Sequence, residues 1–404
     1  MSQVINTNIA SLNAQRNLTT SQGDLQTSLQ RLSSGLRINS AKDDAAGLAI
    51  SERFTAQIRG QEQAQRNAND GISLAQTAEG ALTEIGNLLQ RVRELSVQAA
   101  NDSNSASDRA ALDQEVQQAI EEVGRIANST QFNNQNVIDG SLSNLLFQVG
   151  ANQGQVIGVE GVDARASELG AQLAESGFVD ADDLADIEAF EDIVISGSGF
   201  ATITVEMADV DNLEDAVRAI NEEIRSAEAG SGGEDIAALG LSAALTVDNE
   251  GGRGIVVRGA FGDDAGAFAV DFGNVDIGAG LTSGAVELNG TGVTSIAAEQ
   301  VNLTELDVLT RQNANQTIGV VDGALDQVNS LRADFGAVQN RFESTVSNLG
   351  ISAENLSASR SRILDADFAS ETASLTRAQI LQQAGTSVLA QANAVPQNVL
   401  GLLQ

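Results

Sequence analysis

The chain has 404 residues, a formal net charge of −33 at pH 7, and no histidine, cysteine, tyrosine or tryptophan. The lack of histidine and cysteine removes the commonest general base, the most readily tuned nucleophile and the soft metal ligands, so we expect neither an enzyme nor a metal or cofactor site. The excess of acid argues against nucleic-acid binding, and no apolar run approaches the roughly 20 residues that a membrane span needs.

The negative charge is concentrated in the middle of the chain. Residues 151–300 carry a net charge of −24, whereas residues 1–150 and 301–404 carry −5 and −4. Two interpretations of this excess remain open. The middle forms a solvated outer surface suited to a salty medium, or the charge serves solubility alone.

At the N-terminus, the spacing of apolar residues predicts an amphipathic helix over residues 1–36. Gly35 and the polar run 38–44 mark its end. The first residues show no basic-then-apolar signal peptide, so export would need a route that does not read one. Two sets of apolar side chains follow one another on this helix: Ile5, Ile9 and Leu12, then Leu25, Leu29, Leu32 and Leu36.

Two further helices are predicted before residue 130. A proline-free stretch from about residue 44 to residue 100 predicts one long helix, which would span about 85 Å at 1.5 Å per residue. A polar turn at 101–105 separates it from a helix over about 107–129, which the run 133–136 ends. Their apolar stripes are Ala78, Leu82, Ile85, Leu89, Val92, Leu95 and Ala99 on the first, and Leu112, Val116, Ile120 and Val123 on the second.

The middle of the chain changes to short runs typical of β-strands. Residues 145–149 and 155–159 flank a Gly/Asn tip, which predicts a β-hairpin. Residues 170–300 are rich in glycine, aspartate and short apolar runs, with one amphipathic helix predicted over 212–228. The order strand–strand–helix–strand–strand predicts a small α/β module. Its strands are predicted at 193–195, 201–207, 241–247 and 255–257, with further strands at 267–272 and 285–288.

Helical periodicity returns near the C-terminus. Apolar residues recur at intervals of three and four from Ile318 to Leu349, in a helix predicted to start near residue 301, and a last helix is predicted over 360–403. The stripes at the two ends can bury each other only if the chain folds back on itself, so the termini form the core and the middle is an insertion. Because a lone terminal helix should be marginal, we expect the ends to order against each other or against other copies.

Four segments at the two ends resemble bacterial flagellin. They are LQRLSSGLRINSAKDDAAGLAISERF at 29–54, RNANDGISLAQTAEGAL at 66–82, LQRVRELSVQAAN at 89–101, and NLSASRSRILDADFASETASLTRAQILQQAGTSVLAQANAVPQNVLGLL at 355–403. The resemblance covers about residues 1–160 and 301–404. Within the middle, residues 193–257 weakly resemble a ββαββ insert found in some flagellins and hook proteins.

The resemblance implies a mainly α fold with an α+β insertion: a long antiparallel helical bundle built from both chain ends, a β-hairpin, and an outer Gly/Asp-rich α/β domain. It also implies three layers of a hollow filament. Residues 1–42 with 363–404 form an inner coiled-coil tube, residues 43–170 with 301–362 form the shell with the hairpin at about 145–159, and residues 171–300 project outward.

Individual residues also receive roles from the resemblance. The segment around Gly35 would be a spoke between the two helical layers, whereas the residues alone also allow an ordinary helix break. The segment around Arg91 resembles the surface that the animal innate immune receptor for flagellin recognises, and it is expected to make subunit contacts in the filament. The implied spoke residues are Ser34, Gly35, Arg37 and Asn39. The implied shell and receptor surface comprises Gln90, Arg91, Leu95 and Glu115. The implied self-assembly residues are Ile5, Ile9, Leu12, Leu29, Leu32, Leu36, Leu375, Leu381, Val388, Leu389, Val399 and Leu402.

The implied function is that of a structural subunit that self-assembles, after secretion, into the extracellular filament of the bacterial flagellum for motility. Expected partners are other flagellin copies, a cytoplasmic export chaperone on the C-terminal helices, hook-associated junction and cap proteins, and the innate immune receptor of a host. The alternatives are a minor flagellin, a hook–filament junction protein, or an intracellular coiled-coil scaffold. The last of these leaves the Gly/Asp-rich insertion unexplained.

Overall fold

Long helices at both ends of the chain and small antiparallel sheets between them make up the fold. The computed structural model describes residues 8–184, 187–197, 200–207, 210–229, 236–237, 239–261, 267–277, 286–289 and 294–402. The helices are α1 (Ile9–Ser34), α2 (Ala45–Ala99), α3 (Ala106–Ser129), α4 (Leu213–Glu228), α5 (Arg311–Leu364) and α6 (Phe368–Leu402). The mainly α fold with an α+β insertion is confirmed. No helix within the described ranges is both long and apolar enough to cross a membrane.

The chain divides into two compact units. The terminal unit comprises Met1–Ala68, Gln148–Val156 and Ser344–Gln404, and the central unit comprises Asn69–Phe147 and Ile157–Glu343. In the terminal unit, α1 packs along α6, so the two ends of the chain pair as predicted. The Asn8 side chain caps α1 by accepting from the Ser11 amide, and Gly35 ends the helix in the left-handed conformation.

In the central unit, α2 and α5 run antiparallel, as their apolar stripes predicted. The Phe342 ring lies against Gly71, the Glu79 carboxylate accepts from Gln339 at 2.8 Å, and Val328 lies against Gly86. All seven stripe residues of α2, from Ala78 to Ala99, are buried. Intervals of three and four place them on one helix face, and covering that face is what stabilises so long a helix.

The ends of several helices differ from prediction. The stretch 301–310, predicted as helical, contains the end of a strand at Glu299–Asn302 and a 3-10 turn at Leu303–Glu305, and α5 begins only at Arg311. The last break falls between Leu364 and Phe368. After α3, the run predicted as a helix end forms a small hairpin instead. Asn133 and Asn134 both have positive φ, 48° and 65°, the conformation that a two-residue hairpin loop of type I′ requires.

Fifteen strands in the described residues form five antiparallel sheets, ordered β1–β2, β3–β4, β15–β5–β10–β9, β14–β11–β7–β8 and β13–β12–β6. The predicted hairpin at 145–159 is β3–β4. The bounds are β1 Gln131–Phe132, β2 Gln135–Asn136, β3 Asn144–Gln148, β4 Val156–Glu160, β5 Gly170–Glu175, β6 Ile187–Phe190, β7 Ile193–Gly197, β8 Ile203–Val205, β9 Ser242–Val247, β10 Arg253–Gly259, β11 Phe268–Asp271, β12 Asn274–Ile277, β13 Val286–Glu287, β14 Ile296–Ala297 and β15 Glu299–Asn302. Residues 170–302, from β5 to β15, are called the insert module below.

The two faces of the sheet β15–β5–β10–β9 have different neighbours. Ala174, Ile255 and Val257 belong to the buried core of the insert module, to which Ile220 and Ile224 of α4 also contribute. Because side chains alternate along a strand, Glu175, Val256 and Arg258 lie on the opposite face. That face lines a cavity of about 240 Å³ together with residues of α5. The sheet is therefore packed on both sides, between the module core and α5.

Candidate assembly surfaces

Polar side chains join the two ends of the chain where α1 meets α6. The Arg31 guanidinium donates to the Glu371 carboxylate at 3.0 Å, and the Ser11 hydroxyl donates to the Asn393 side chain at 2.8 Å. These pairs connect residues 340 and 382 positions apart. Sequence reasoning missed them, since a charged or polar residue on a helix gives no sign of which distant residue it will meet.

The helix pair α1–α6 buries mostly small side chains. The buried residues of α1 are Ser11, Ala14 and Ser28, and on α6 Ala378 is buried. A globular two-helix contact would normally bury the large apolar residues first. Here several leucines of both helices are only half-buried and other large apolar residues stay exposed, so the contact between the chain ends leaves much of their hydrophobic surface uncovered.

Large apolar side chains of α1 and α6 are exposed in the single chain. Ile9 is 63% exposed, Leu12 49%, Leu29 48%, Leu381 51% and Val388 53%, and all five are predicted self-assembly residues. Full burial of one such side chain is worth about 1.5–3 kcal/mol. Helices that expose so many of them call for a further apolar partner. Of the other predicted residues, Leu32, Leu36, Leu375 and Leu389 are half-buried, Ile5 lies outside the described residues, and the side chains of Val399 and Leu402 do so too.

The predicted spoke residues are brought to the break between α5 and α6. Gly35 has a φ of +71°, which lets the chain turn while its amide still donates to Arg31 at 2.8 Å. Leu36 then forms an isolated antiparallel bridge with Asp365. The Arg37 amide and guanidinium donate to the carbonyls of Leu364, at 2.7 Å, and Ile363, at 2.6 Å.

This geometry gives Arg37 a defined structural task. The last carbonyl groups of a helix have no partner inside the helix, and a cation near them is favourable. Arg37 satisfies two of these groups at the end of α5, from 326 positions away in the chain. The N-terminal segment after α1 thus caps a C-terminal helix, which is a stronger connection than an ordinary helix break.

The remaining spoke residues fold the segment onto itself. The Ser34 hydroxyl accepts from the Leu36 amide at 3.2 Å, and the Asn39 side chain donates to the Leu36 carbonyl at 3.0 Å. The Asp43 carboxylate accepts from the Ser40 hydroxyl at 3.0 Å and from the amides of Asn39 and Ser40. These hydrogen bonds, led by the Ser40 hydroxyl, lower the pKa of Asp43. The segment is therefore a compact turn rather than an unstructured linker.

The predicted shell and receptor surface is an exposed ionic cluster. The Arg91 guanidinium donates to Glu115 of α3 at 2.7 Å and to Glu94 at 3.1 Å, and all three side chains are at least half exposed. The hydrogen bonds that Arg91 donates to Glu115 first, and then to Glu94, raise the pKa of Arg91. Gln90 is exposed beside them.

Leu95 does not share this surface. It is 1% exposed and belongs to the buried stripe of α2. The expected apolar side chain next to the Arg91 donors is thus inaccessible, because the i, i+4 spacing from Arg91 also places Leu95 at the edge of the helix face that packs inward. The accessible cluster consists of Gln90, Arg91, Glu94 and Glu115.

Comparison with protein families gives two matches that together span most of the helical part of the chain. A model of the bacterial flagellin N-terminal helical region matches residues 5–143, and a model of the bacterial flagellin C-terminal helical region matches residues 318–403. The surfaces described above, around α1, α6 and the spoke, lie largely within the matched residues.

Curated relatives align over the full chain. Flagellin A of Vibrio anguillarum is 40% identical over 416 residues, with 100% of both chains covered. Flagellin A of Vibrio cholerae serotype O1 is 41% identical over 411 residues, with 99% of both covered. Among solved structures, FliC from Burkholderia pseudomallei is 28% identical, covers 67% of this chain and 99% of its own, and superimposes with a TM-score of 0.41.

Proposed function

This chain belongs to the bacterial flagellin family, and we propose that the exposed apolar faces of α1 and α6 are the surfaces through which its copies join. The protein is a structural subunit that self-assembles into the flagellar filament and acts outside the cell in motility. The observation that carries the assignment of surfaces is the exposure of Ile9, Leu12, Leu29, Leu381 and Val388 on helices whose fully buried side chains, among those that the structure describes, are small.

We assign three functional parts to the chain. Residues 1–42 and 363–404 are the inner assembly domain, residues 43–170 and 301–362 the helical shell, and residues 171–300 the outer variable domain. Support for the first boundary comes from the spoke, where the chain leaves α1 and α6 through the paired segments at Leu36 and Asp365. The negative charge of residues 151–300 fits a part in contact with solvent.

Further partners follow from the same surfaces. An export chaperone would cover the apolar face of α6 before assembly, since Leu381 and Val388 are exposed in the single chain. Hook-associated junction and cap proteins would meet the same terminal helices at the filament ends. A host immune receptor would bind the Gln90, Arg91 and Glu115 cluster through charged hydrogen bonds. The protein performs no catalysis in this proposal.

Charged substitutions on the exposed face of α6 test the assembly surface. Leu381→Asp and Val388→Asp each place a carboxylate where the proposal requires an apolar contact, so polymerisation of purified subunits should fall at least tenfold. Because both side chains are exposed in the single chain, the helix content of the monomer should stay unchanged. The measurements are sedimentation of filaments after seeding and circular dichroism of the monomer.

The matched control is Ser226→Asp, which adds the same charge on an exposed position of α4 in the insert module. This variant should polymerise like the unmodified chain. Normal polymerisation of both α6 variants would refute the assigned surface, and so would a loss of assembly that Ser226→Asp shares.

A further inference from the structure

We propose that the insert module has a second role inside the helical part of its own chain: the tip of its β9–β10 hairpin is the N-terminal cap of α5, and its sheet braces the first turns of that helix. The module would then stabilise the N-terminal part of a long helix. This role is separate from any function of the module at the surface of a filament.

The hairpin contributes to the cap through one side chain. The first amide groups of a helix have no partner within the helix. The Asn249 side-chain oxygen accepts from the amides of Arg311 and Gln312, the first two residues of α5, at 3.1 and 3.4 Å. Thr310 supplies the local half of the cap, because its hydroxyl accepts from the Asn313 amide at 3.1 Å. The two sources together satisfy the three amides that precede the first intrahelical bond.

The hairpin tip is held ready for this contact. The Asp248 carboxylate accepts from the amides of Glu250, at 2.9 Å, and Gly252, at 2.7 Å, which closes the turn around Asn249. Gly251 has a φ of +95°, a conformation that favours glycine. From the helix side, the Asn315 amide group donates to the Val247 carbonyl at 3.4 Å. A preformed loop loses little entropy when it caps the helix.

Below the cap, the same sheet follows the helix. The Arg258 guanidinium of β10 donates to the Gly319 carbonyl at 3.2 Å and lies 3.8 Å from Asp322 and 3.5 Å from Asp326. At the next turn, Gln327 accepts from the Gly170 amide and donates to the Phe261 carbonyl, both at 3.0 Å. These contacts extend from Arg311 to Gln327, about 24 Å of helix at 1.5 Å per residue.

Close packing supports the same interpretation. A Cβ atom on Gly323 would lie 2.8 Å from the Ala171 side chain and from the Gly170 carbonyl, so the strand β5 approaches α5 as near as a glycine allows. Asp322 also accepts from Arg93 of α2 at 2.6 Å. The charged residues at this junction therefore connect the sheet, α5 and α2 in one network. The module is thus held by contacts along α5 and not only by the two covalent connections at its ends.

Amide hydrogen exchange on the full-length monomer tests the cap. Asn249→Ala removes the acceptor, and a lost cap typically speeds local exchange by about fivefold, which corresponds to the usual cost of such a substitution. We expect this acceleration in amides 311–316 only, with amides 330–340 unchanged. Asn249→Asp keeps an acceptor and should retain protection. Thr310→Ala should produce a comparable local acceleration and calibrates the measurement.

Glu250→Ala is the control for damage to the loop, since it changes the neighbouring exposed residue and leaves Asn249 in place. It should leave exchange in 311–316 unchanged. Unaltered exchange in Asn249→Ala, with a clear effect of Thr310→Ala, would overturn the proposal. An equal acceleration over the whole central unit would also overturn it, because the loop would then act on global stability and not as a cap. Since the readout uses monomers, neither result depends on the assembly surfaces.

Discussion

Arg31 and Glu371 lie 340 positions apart, and their side chains form an ion pair of 3.0 Å across the contact between α1 and α6. Glu371 is in the first turn of α6, where a carboxylate is also favoured by the helix dipole. The pair is mostly shielded from solvent, with 31% and 13% of the two side chains exposed. It therefore helps to fix the relative register of the two terminal helices, since the fully buried alanine and serine side chains of this contact specify the register only weakly.

A charge swap tests this register. Glu371→Gln should lower the stability of the α1–α6 pair by about 1 kcal/mol, because the partly shielded hydrogen bond from Arg31 then reaches an uncharged acceptor. Arg31→Glu alone should cost more, since two carboxylates then face each other. The double variant Arg31→Glu, Glu371→Arg should recover part of the loss. The measurement is the thermal depolymerisation midpoint of filaments; a double variant no better than Arg31→Glu would contradict the pairing.

Two glycines of the N-terminal region should respond in opposite directions to alanine. Gly35→Ala forces an L-residue into a φ of +71° and should destabilise the terminal helices by about 1 kcal/mol. Gly23→Ala, in the interior of α1 with no atom within 4 Å of the new Cβ, should stabilise by about 0.5–1 kcal/mol. Urea unfolding followed by circular dichroism at 222 nm measures both. A loss at Gly23 or a gain at Gly35 would contradict the assigned end of α1.

The sequence predicted the long helices well and the polar connections poorly. From Ala78 to Ala99, apolar residues recur at intervals of three and four, and an α-helix places all of these side chains on one face. In contrast, Asn249 caps α5 from 62 positions away. The sequence Asp-Asn-Glu-Gly-Gly indicates a turn, but it does not indicate which helix that turn contacts. Strand β5 was missed because Gly-Ala-Gln-Leu-Ala-Glu lacks the β-branched and aromatic residues that indicate strands.

The same limit applies to the candidate surfaces. Spacing places Leu381 and Val388 on a helix, but it cannot tell a core position from an exposed one when the partner is another copy. Leu95 shows the reverse case, because it is buried although Arg91 and Glu94 on the same helix are exposed. The small residues buried between α1 and α6 determine which apolar residues face outward. Their positions are known only from the folded chain.

Glu175 should make the central unit more stable at mildly acidic pH. Burial raises the pKa of Glu175, and hydrogen bonds from Thr246, at 2.8 Å, and Gln312 only partly offset this. A carboxyl with a raised folded-state pKa contributes stability that is fully present below its unfolded pKa of about 4.3 and is lost as pH rises through the folded value. At neutral pH the ionised group therefore carries a penalty.

Glu175→Gln should accordingly stabilise the chain at pH 7 and have little effect near pH 4. Urea unfolding at a series of pH values between 4 and 8 measures the difference. Glu222→Gln, at an exposed position of α4, is the control for removing one negative charge from a chain of net charge −33. A gain for Glu175→Gln no larger than the control, or one that persists at pH 4, would count against a buried carboxylate.

A deletion designed on the sheet pairing should leave an assembling subunit. Strand β5 pairs with β15 from Gly170 and Asn302 to Leu173 and Glu299, so removing residues 176–298 and closing the gap with a short Gly/Ser bridge keeps this ladder. Such a chain should polymerise, because the surfaces of α1 and α6 remain. It should also show faster amide exchange at the start of α5, since Asn249 is gone. Electron microscopy checks the first expectation; a folded product without filaments would show that the removed residues make essential subunit contacts.

Salt should stabilise filaments of the intact chain through the insert module. Residues 151–300, most of which belong to this module, carry a net charge of −24. Two of the module's arginines are already paired with acids, Arg218 with Asp215 at 2.6 Å and Arg253 with Glu214 at 2.5 Å. Assembly brings copies of this charge close together, and their repulsion is screened over about 10 Å at 0.1 M salt but over about 3 Å at 1 M. Added salt does not weaken the apolar contacts of the terminal helices.

The depolymerisation midpoint of intact filaments should therefore rise as sodium chloride increases from millimolar to near molar. Filaments of the chain that lacks residues 176–298 should show a much smaller rise, because most of the acidic residues of the insert module have been removed. Comparing the two slopes cancels the constant loss of stability that the deletion itself causes. Equal slopes would place the salt-sensitive charges in the helical parts, where residues 1–150 and 301–404 carry only −5 and −4. A midpoint that falls with salt would mean that ion pairs such as Arg31–Glu371 outweigh the repulsion between modules.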